Sequence, residues 1–171
     1  MGFTIYRLIL ASAILASMAP KTFDAAVEVQ DIATGHDTQM ERSYLGLVET
    51  SARWHDVWQA HKGMTGAEGL NIVDGSPMPD VNFNTTSIVA VFMGQQSNVV
   101  GLEIAELDDK GKTVQLKLNC QYLTAGQSLL TTPYALIKLT PTKKPIQVSV
   151  SFDGKTYRTL GTLKSTRKSN G

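Results

Sequence analysis

The apolar positions of this chain recur mostly at the spacing of strands, and only one stretch carries the spacing of a helix. Val27-Glu28-Val29-Gln30-Asp31-Ile32 alternates apolar and polar residues and predicts a first strand, ended by a turn at Gly35-His36-Asp37. Ser43 through Glu49 predicts a second strand with partial alternation. Trp54, Val57, Trp58 and His61 then recur at intervals of three and four, which puts them on one side of a helix beginning near Ala52. Thr50 or Ser51 supplies the hydroxyl that caps it. Glycines and prolines from Gly63 to Pro79 preclude a continued helix and predict an intradomain loop.

The second half reads as repeated hairpins. Ile88 through Met93 is a continuous apolar run, rich in β-branched residues, that predicts a core strand. Val99 through Leu107 alternates from Leu102 onward, Asp108-Asp109-Lys110-Gly111 turns, and Val114, Leu116 and Leu118 return on one face. Cys120 continues that face and is expected to be a buried thiol. After a polar connection over Leu123 to Thr132, Tyr134 through Leu139 predicts another strand. Ile146, Val148, Val150 and Phe152 follow, with Asp153-Gly154 as a tight turn to a strand over Lys155 to Leu160. The expectation is a mainly β, small β-sandwich-like domain with a short covering helix. Its core includes Trp54, Trp58, Phe92, Leu102 and Cys120.

Composition refines this picture at both ends. Of 171 residues, 42% are hydrophobic and 18% charged, which suits one folded domain with one core. Arg7 precedes an apolar run from Leu8 to Ala19 with the flank and length of a secretory signal, and too short for an ordinary membrane-spanning helix. Residues 1–26 are therefore expected to be a leader, matured near Ala26, residues 27–163 the β-rich domain, and residues 164–171 a basic soluble tail. An exported chain, periplasmic or extracellular, with no stable transmembrane anchor is implied. A single cysteine permits no internal disulfide. Charge is graded along the chain, with net −10 from Val27 to Asp109 and net +10 from Lys110 to Gly171. Solvated surface charge accounts for both, with a basic patch facing an acidic partner or surface as the alternative.

Chemistry-bearing patterns are sparse. His36, His55 and His61 have no metal-ligand spacing, so no metal or other cofactor is expected. The carboxylates Asp74, Asp80, Glu103 and Glu106 fall near turns or strands without any pairing that acid–base catalysis requires. No glycine-rich phosphate loop is present, and the basic half lacks the aromatic interleaving of a nucleic-acid module. The chain thus reads as a non-catalytic interaction domain, with an unrecognised hydrolase as the weakest alternative.

Several segments, in order, resemble the PrcB C-terminal domain family, associated with secreted bacterial protease complexes. They are Trp54-His55-Asp56-Val57-Trp58-Gln59-Ala60-His61, Pro79-Asp80-Val81-Asn82-Phe83, Ile88 through Gly94 followed by Gly101-Leu102-Glu103-Ile104, and Thr132-Pro133-Tyr134-Ala135-Leu136-Ile137. The resemblance spans Val27 to Phe152 and implies a β-sandwich-like domain that assembles or stabilises an extracytoplasmic protease or another envelope protein. The chain departs from the family at Gln95-Gln96-Ser97-Asn98-Val99-Val100-Gly101, where the family has a threonine followed by two glycines and a tyrosine. Gln95, Gln96, Ser97, Asn98 and Gly101 become candidates for a displayed partner-binding loop, with ordinary turn chemistry as the alternative. The same loop has a fainter likeness to the contact loop of chagasin-like cysteine-protease inhibitors, so inhibition and a structural envelope role stand as alternative functions.

Overall fold

In the computed structural model, residues 26–63, 77–109, 111–123 and 128–167 are described. Residues 1–25 of the expected leader, most of the Gly/Pro-rich connection and the last four residues of the expected tail lie outside them. The elements are β1 (Val29–Gly35), β2 (Ser43–Val48), α1 (Ser51–Lys62), β3 (Ser87–Met93), β4 (Gln96–Ser97), β5 (Val99–Asp108), β6 (Val114–Tyr122), β7 (Leu130–Thr131), β8 (Tyr134–Leu139), β9 (Ile146–Ser151) and β10 (Tyr157–Leu163). The fold is mainly β, with one short helix over a sheet core.

Two four-stranded sheets, ordered β1-β8-β3-β2 and β10-β9-β6-β5, enclose the main core. Alternation decides which side chains enter it. Val89, Val91 and Met93 of β3 point between the sheets, toward a cluster with Leu102 of β5, Leu116 and Leu118 of β6, and Val148 and Val150 of β9. The other face of β3 carries Ile88, Ala90 and Phe92, which pack with Val48, Leu136, Trp54 and Val57 beneath α1. Cover on both faces explains why this strand is apolar at every position and buried throughout.

Thr50 caps the helix, its Oγ1 accepting from the Arg53 N–H at 3.2 Å. Trp54 is 3% exposed, and its indole N–H donates to the Pro79 carbonyl at 2.9 Å. Trp58 is only half-buried and stands at the flank of the helix, packed against the core edge rather than within it.

The β5–β6 and β9–β10 hairpins form as expected. Hairpins do not account for everything, however. β6 and β9 pair in parallel, Val114 opposite Ile146 through Asn119 opposite Ser151. After β6 the chain crosses to the first sheet, runs back as β8 and returns, so β9 starts from the same end as β6.

The basic tail is anchored through its first residues. Ser165 Oγ donates to Glu49 Oε1 at 2.7 Å, and the Thr166 N–H and hydroxyl donate to Oε2 at 2.8 and 3.1 Å. Arg167 sets its Nε 3.3 Å from the same carboxylate, in ion-pair range without hydrogen-bond alignment, and donates through Nη2 to Thr86 O and Ser87 Oγ. The Glu49 side chain is 4% exposed, so this clasp joins the end of β10 to the starts of α1 and β3. Of the described tail residues, Lys164 and Thr166 are exposed, and Ser165 and Arg167 are partly buried.

Candidate functional site

The segment between β3 and β5 is built from the ends of those strands. Gly94 follows β3 at φ 70° against the backbone of residues 41–43. A side chain here would meet Glu41 O at 2.9 Å, so only glycine fits both the angle and the space. The Gln95 N–H donates to Glu41 O at 3.2 Å while its side chain stays exposed. Gln96 and Ser97 form β4, paired with Thr131 and Leu130 of β7. Gln96 Nε2 donates to Met93 O, and Thr131 Oγ1 donates to Gln96 O.

Asn98 is the hub of this segment. It sits at φ 63°, a left-handed conformation that asparagine tolerates better than most residues. Its N–H donates to Leu129 O and its Oδ1 accepts from the Leu129 N–H, both at 2.8 Å, while its carbonyl accepts from the Leu123 N–H at 2.9 Å. The loop expected to be displayed is therefore tied to a second loop on both sides, with Gln95 and Ser97 exposed and Gln96 and Asn98 half-buried. Gly101 stands apart from them inside β5, buried where a Cβ would meet Gln121 Oε1 at 2.9 Å and Thr34 Oγ1 at 3.1 Å. It serves the close approach of β1 to β5 rather than loop freedom. Replacing Asn98 by alanine is expected to cost about 2 kcal/mol, from about 1 for left-handed strain and about 1 for the lost side-chain bond. Glycine avoids the strain and is expected to cost about half as much; urea unfolding of the two variants checks the ordering.

Register places this loop among exposed apolar residues. β6 ends at Tyr122, which faces Val99 at the start of β5, and the parallel β9 ends toward the same edge, Ser151 opposite Asn119, with Phe152 next. β7 holds Leu130 beside Ser97. Tyr122, Leu129, Leu130 and Phe152 are thus four of the six large apolar side chains exposed among the described residues, and all stand at one end of the sandwich. Leu130 is 66% exposed. Partial burial pushes the Tyr122 phenol up, with Cys120 and Asp153 adding to the shift. The Asp153 carboxyl is held well below the usual range by the Thr156 and Lys155 N–H groups and the Ser151 hydroxyl, which fixes the β9–β10 turn. At the same end a cleft of about 440 Å³ opens between β2 and β10, lined by residues including Ser43, Tyr44, Phe92, Gln96, Arg158 and Leu160. The Arg158 guanidinium lies 5.8 Å from the Phe152 ring centre.

The remaining candidate chemistry is engaged elsewhere. Burial pushes the half-buried Cys120 thiol up to about 11, which keeps it protonated and a poor nucleophile. His61 is buried, with Nδ1 2.9 Å from Thr38 Oγ1; that hydroxyl donates to His61 O and so accepts from the ring. His36 Nδ1 lies 3.2 Å from Val100 O, and His55 pairs with Gln59 on the exposed side of α1. Glu106 pairs with Lys117 and Glu103 accepts from Gln121, both across the β5–β6 ladder. Asp80 is exposed and Asp74 lies outside the described residues. No three metal-binding side chains gather among the described residues. Nor is any helix there long and apolar enough to cross a membrane.

Sequence reasoning located the Gln95–Asn98 loop but missed its apolar surroundings. The adjacent pair Leu129-Leu130 was the available signal, since two leucines without a place in any strand pattern ask what covers them. No protein-family model, curated protein or solved structure matches the chain.

Proposed function

We propose that this chain is a non-catalytic, exported interaction domain that takes an extracytoplasmic protein partner on the loop-bearing end of its sandwich. The observation that carries this reading is the gathering of Tyr122, Leu129, Leu130 and Phe152 around a loop whose backbone is fastened by Asn98. Exposed apolar side chains concentrated in one region suit a protein interface. The fastened loop loses little conformational entropy when it is covered. Arg158 and Tyr122 add the residue types that anchor such interfaces. Export rests on the Arg7-led apolar run, and an assembly role in a protease complex rests on the sequence resemblance.

A photo-crosslinking residue placed at Leu130 tests the surface directly in the native compartment. It is expected to capture one discrete protein partner, whereas the same residue at Lys112, on the β5–β6 turn at the opposite end, captures none. Leu130→Asp is expected to weaken that capture at least about tenfold, as at an interface anchor, with the melting temperature unchanged. Equal capture at both ends, or none at Leu130, overturns the proposal.

A further inference from the structure

The seam between β2 and β10 is wedge-shaped. Both are outer strands of their sheets, and neither has a ladder neighbour on the side that faces the other. They run in the same direction, from the loop-bearing end to the Glu49 clasp. Midway they touch: a Cβ on Gly161 would meet Leu45 Cδ2 at 3.0 Å, and the register of β10 against β9 shifts at the same point. Toward the loop the strands part, and the cleft of about 440 Å³ occupies the gap, with Leu45 and Leu160 on its walls and Gln96 among its lining residues.

Arg158 sits in this gap without a counter-charge. Its neighbours bond to the outer face of the second sheet, the Tyr157 hydroxyl to Asn119 Oδ1 and Thr159 Oγ1 to Gln147 Nε2, so alternation turns Arg158 to the side between the sheets. It is the one charged side chain among the described lining residues. Arg53, Lys117, Lys138, Lys144 and Arg167 each have a carboxylate within ion-pair range. Arg158 has none among the described residues and lies only over the Phe152 ring, 5.8 Å from its centre. A guanidinium presents a planar fork of donors that matches a carboxylate. Clefts of about 300–1,000 Å³ enclose a small ligand, so this one admits the tip of a loop. It shares Gln96 with the fastened segment, and Arg158 joins it to Phe152 of the apolar patch, so a protein seated on that end also covers its mouth. We infer that the cleft receives an aspartate or glutamate from a protruding segment of the partner, its carboxylate on Arg158 and its adjoining apolar atoms on Leu45 and Leu160. This rests on the loop-bearing end being a protein interface.

Photo-crosslinking residues at Leu130 and at Ser43, on the cleft wall, separate this inference from the interface it rests on. In the native compartment Ser43 is expected to join the same partner as Leu130, and sequencing of the joined peptide to place an aspartate or glutamate beside the crosslinked residue. Capture at Leu130 is expected to fall at least about tenfold in Arg158→Glu, and far less in Arg158→Lys. Arg158 is exposed, so both variants are expected to keep the parent's melting temperature. An arginine that only keeps an edge strand from pairing with another copy is replaced equally well by glutamate, so the charge reversal tells the two roles apart. Changing the partner's acid to arginine is expected to restore capture by Arg158→Glu. Undiminished capture by a folded Arg158→Glu variant overturns the inference and leaves the interface standing. So does equal loss in the glutamate and lysine variants, or a Ser43 crosslink to a second copy of this chain. No capture at Leu130 overturns both.

Discussion

Ending the chain at Leu163 is expected to destabilise the fold by up to about 3–5 kcal/mol, a large share of the stability of an ordinary domain. The truncation removes the described tail partners of Glu49: the Ser165 hydroxyl, the Thr166 N–H and hydroxyl, and the Arg167 guanidinium. What remains is a carboxylate, 4% exposed with the tail in place, whose partners are replaced only by the water that the tail's departure admits. The loss of favourable contacts is smaller than the cost of leaving that charge bare. Arg167→Ala alone is expected to cost less, because Ser165 and Thr166 still donate and the guanidinium itself is 28% exposed. Adding Glu49→Met to the truncated chain is expected to recover most of the loss, since an apolar side chain of similar length needs no donor there. Urea unfolding of the three chains and the parent gives the comparison. Equal midpoints for parent and truncated chain show that the clasp contributes nothing to folding.

Phe92→Ala is expected to cost about 3–5 kcal/mol, the range for deleting a fully buried aromatic ring. Phe92 is 1% exposed and lies between sheet and helix, its centroid 6.1 Å from Tyr44, 5.8 Å from His61 and 6.0 Å from Tyr134. Its removal leaves a void bounded by three rings that are themselves held by neighbours, so collapse into the space is restricted. The helix is the cover most affected. Near-ultraviolet circular dichroism of the aromatic cluster is expected to weaken with the shift in the urea midpoint. A loss below about 1 kcal/mol means that the cluster repacks freely and that the ring contacts do not set the helix position.

Much of the fold was legible because single segments carry their own signals. The alternation of Val114, Leu116 and Leu118 and the Asp153-Gly154 turn are local facts, and each specifies a hairpin without reference to the rest of the chain. Ile88 through Met93 was readable as a strand, but its second covered face followed only from the helix packed on Ile88, Ala90 and Phe92. The parallel β6–β9 pair was not readable, because both strands look like hairpin members and their pairing depends on the passage through β8. Ser165, Thr166 and Arg167 have the composition of a solvated tail, and only the buried Glu49, far away in sequence, makes them part of the domain.

The candidate site divides in the same way. The Gln95–Asn98 loop announced itself through its polar residues, whereas the bonds that fasten Asn98 join it to Leu123 and Leu129 across a distance no local pattern encodes. The ring cluster under α1 was half-visible: the helical spacing put Trp54, Trp58 and His61 together, but Tyr134, whose ring lies 4.4 Å from His61, comes from β8.

The return of β9 beside β6 has a consequence for how the molecule comes apart. Because the chain visits the first sheet between these two neighbours, the second sheet has no contiguous stretch of sequence from which to assemble. Its central seam closes only after a long detour is in place, which ties the two layers into one cooperative unit. A protease that nicks an outer loop therefore meets no half-molecule that persists by itself.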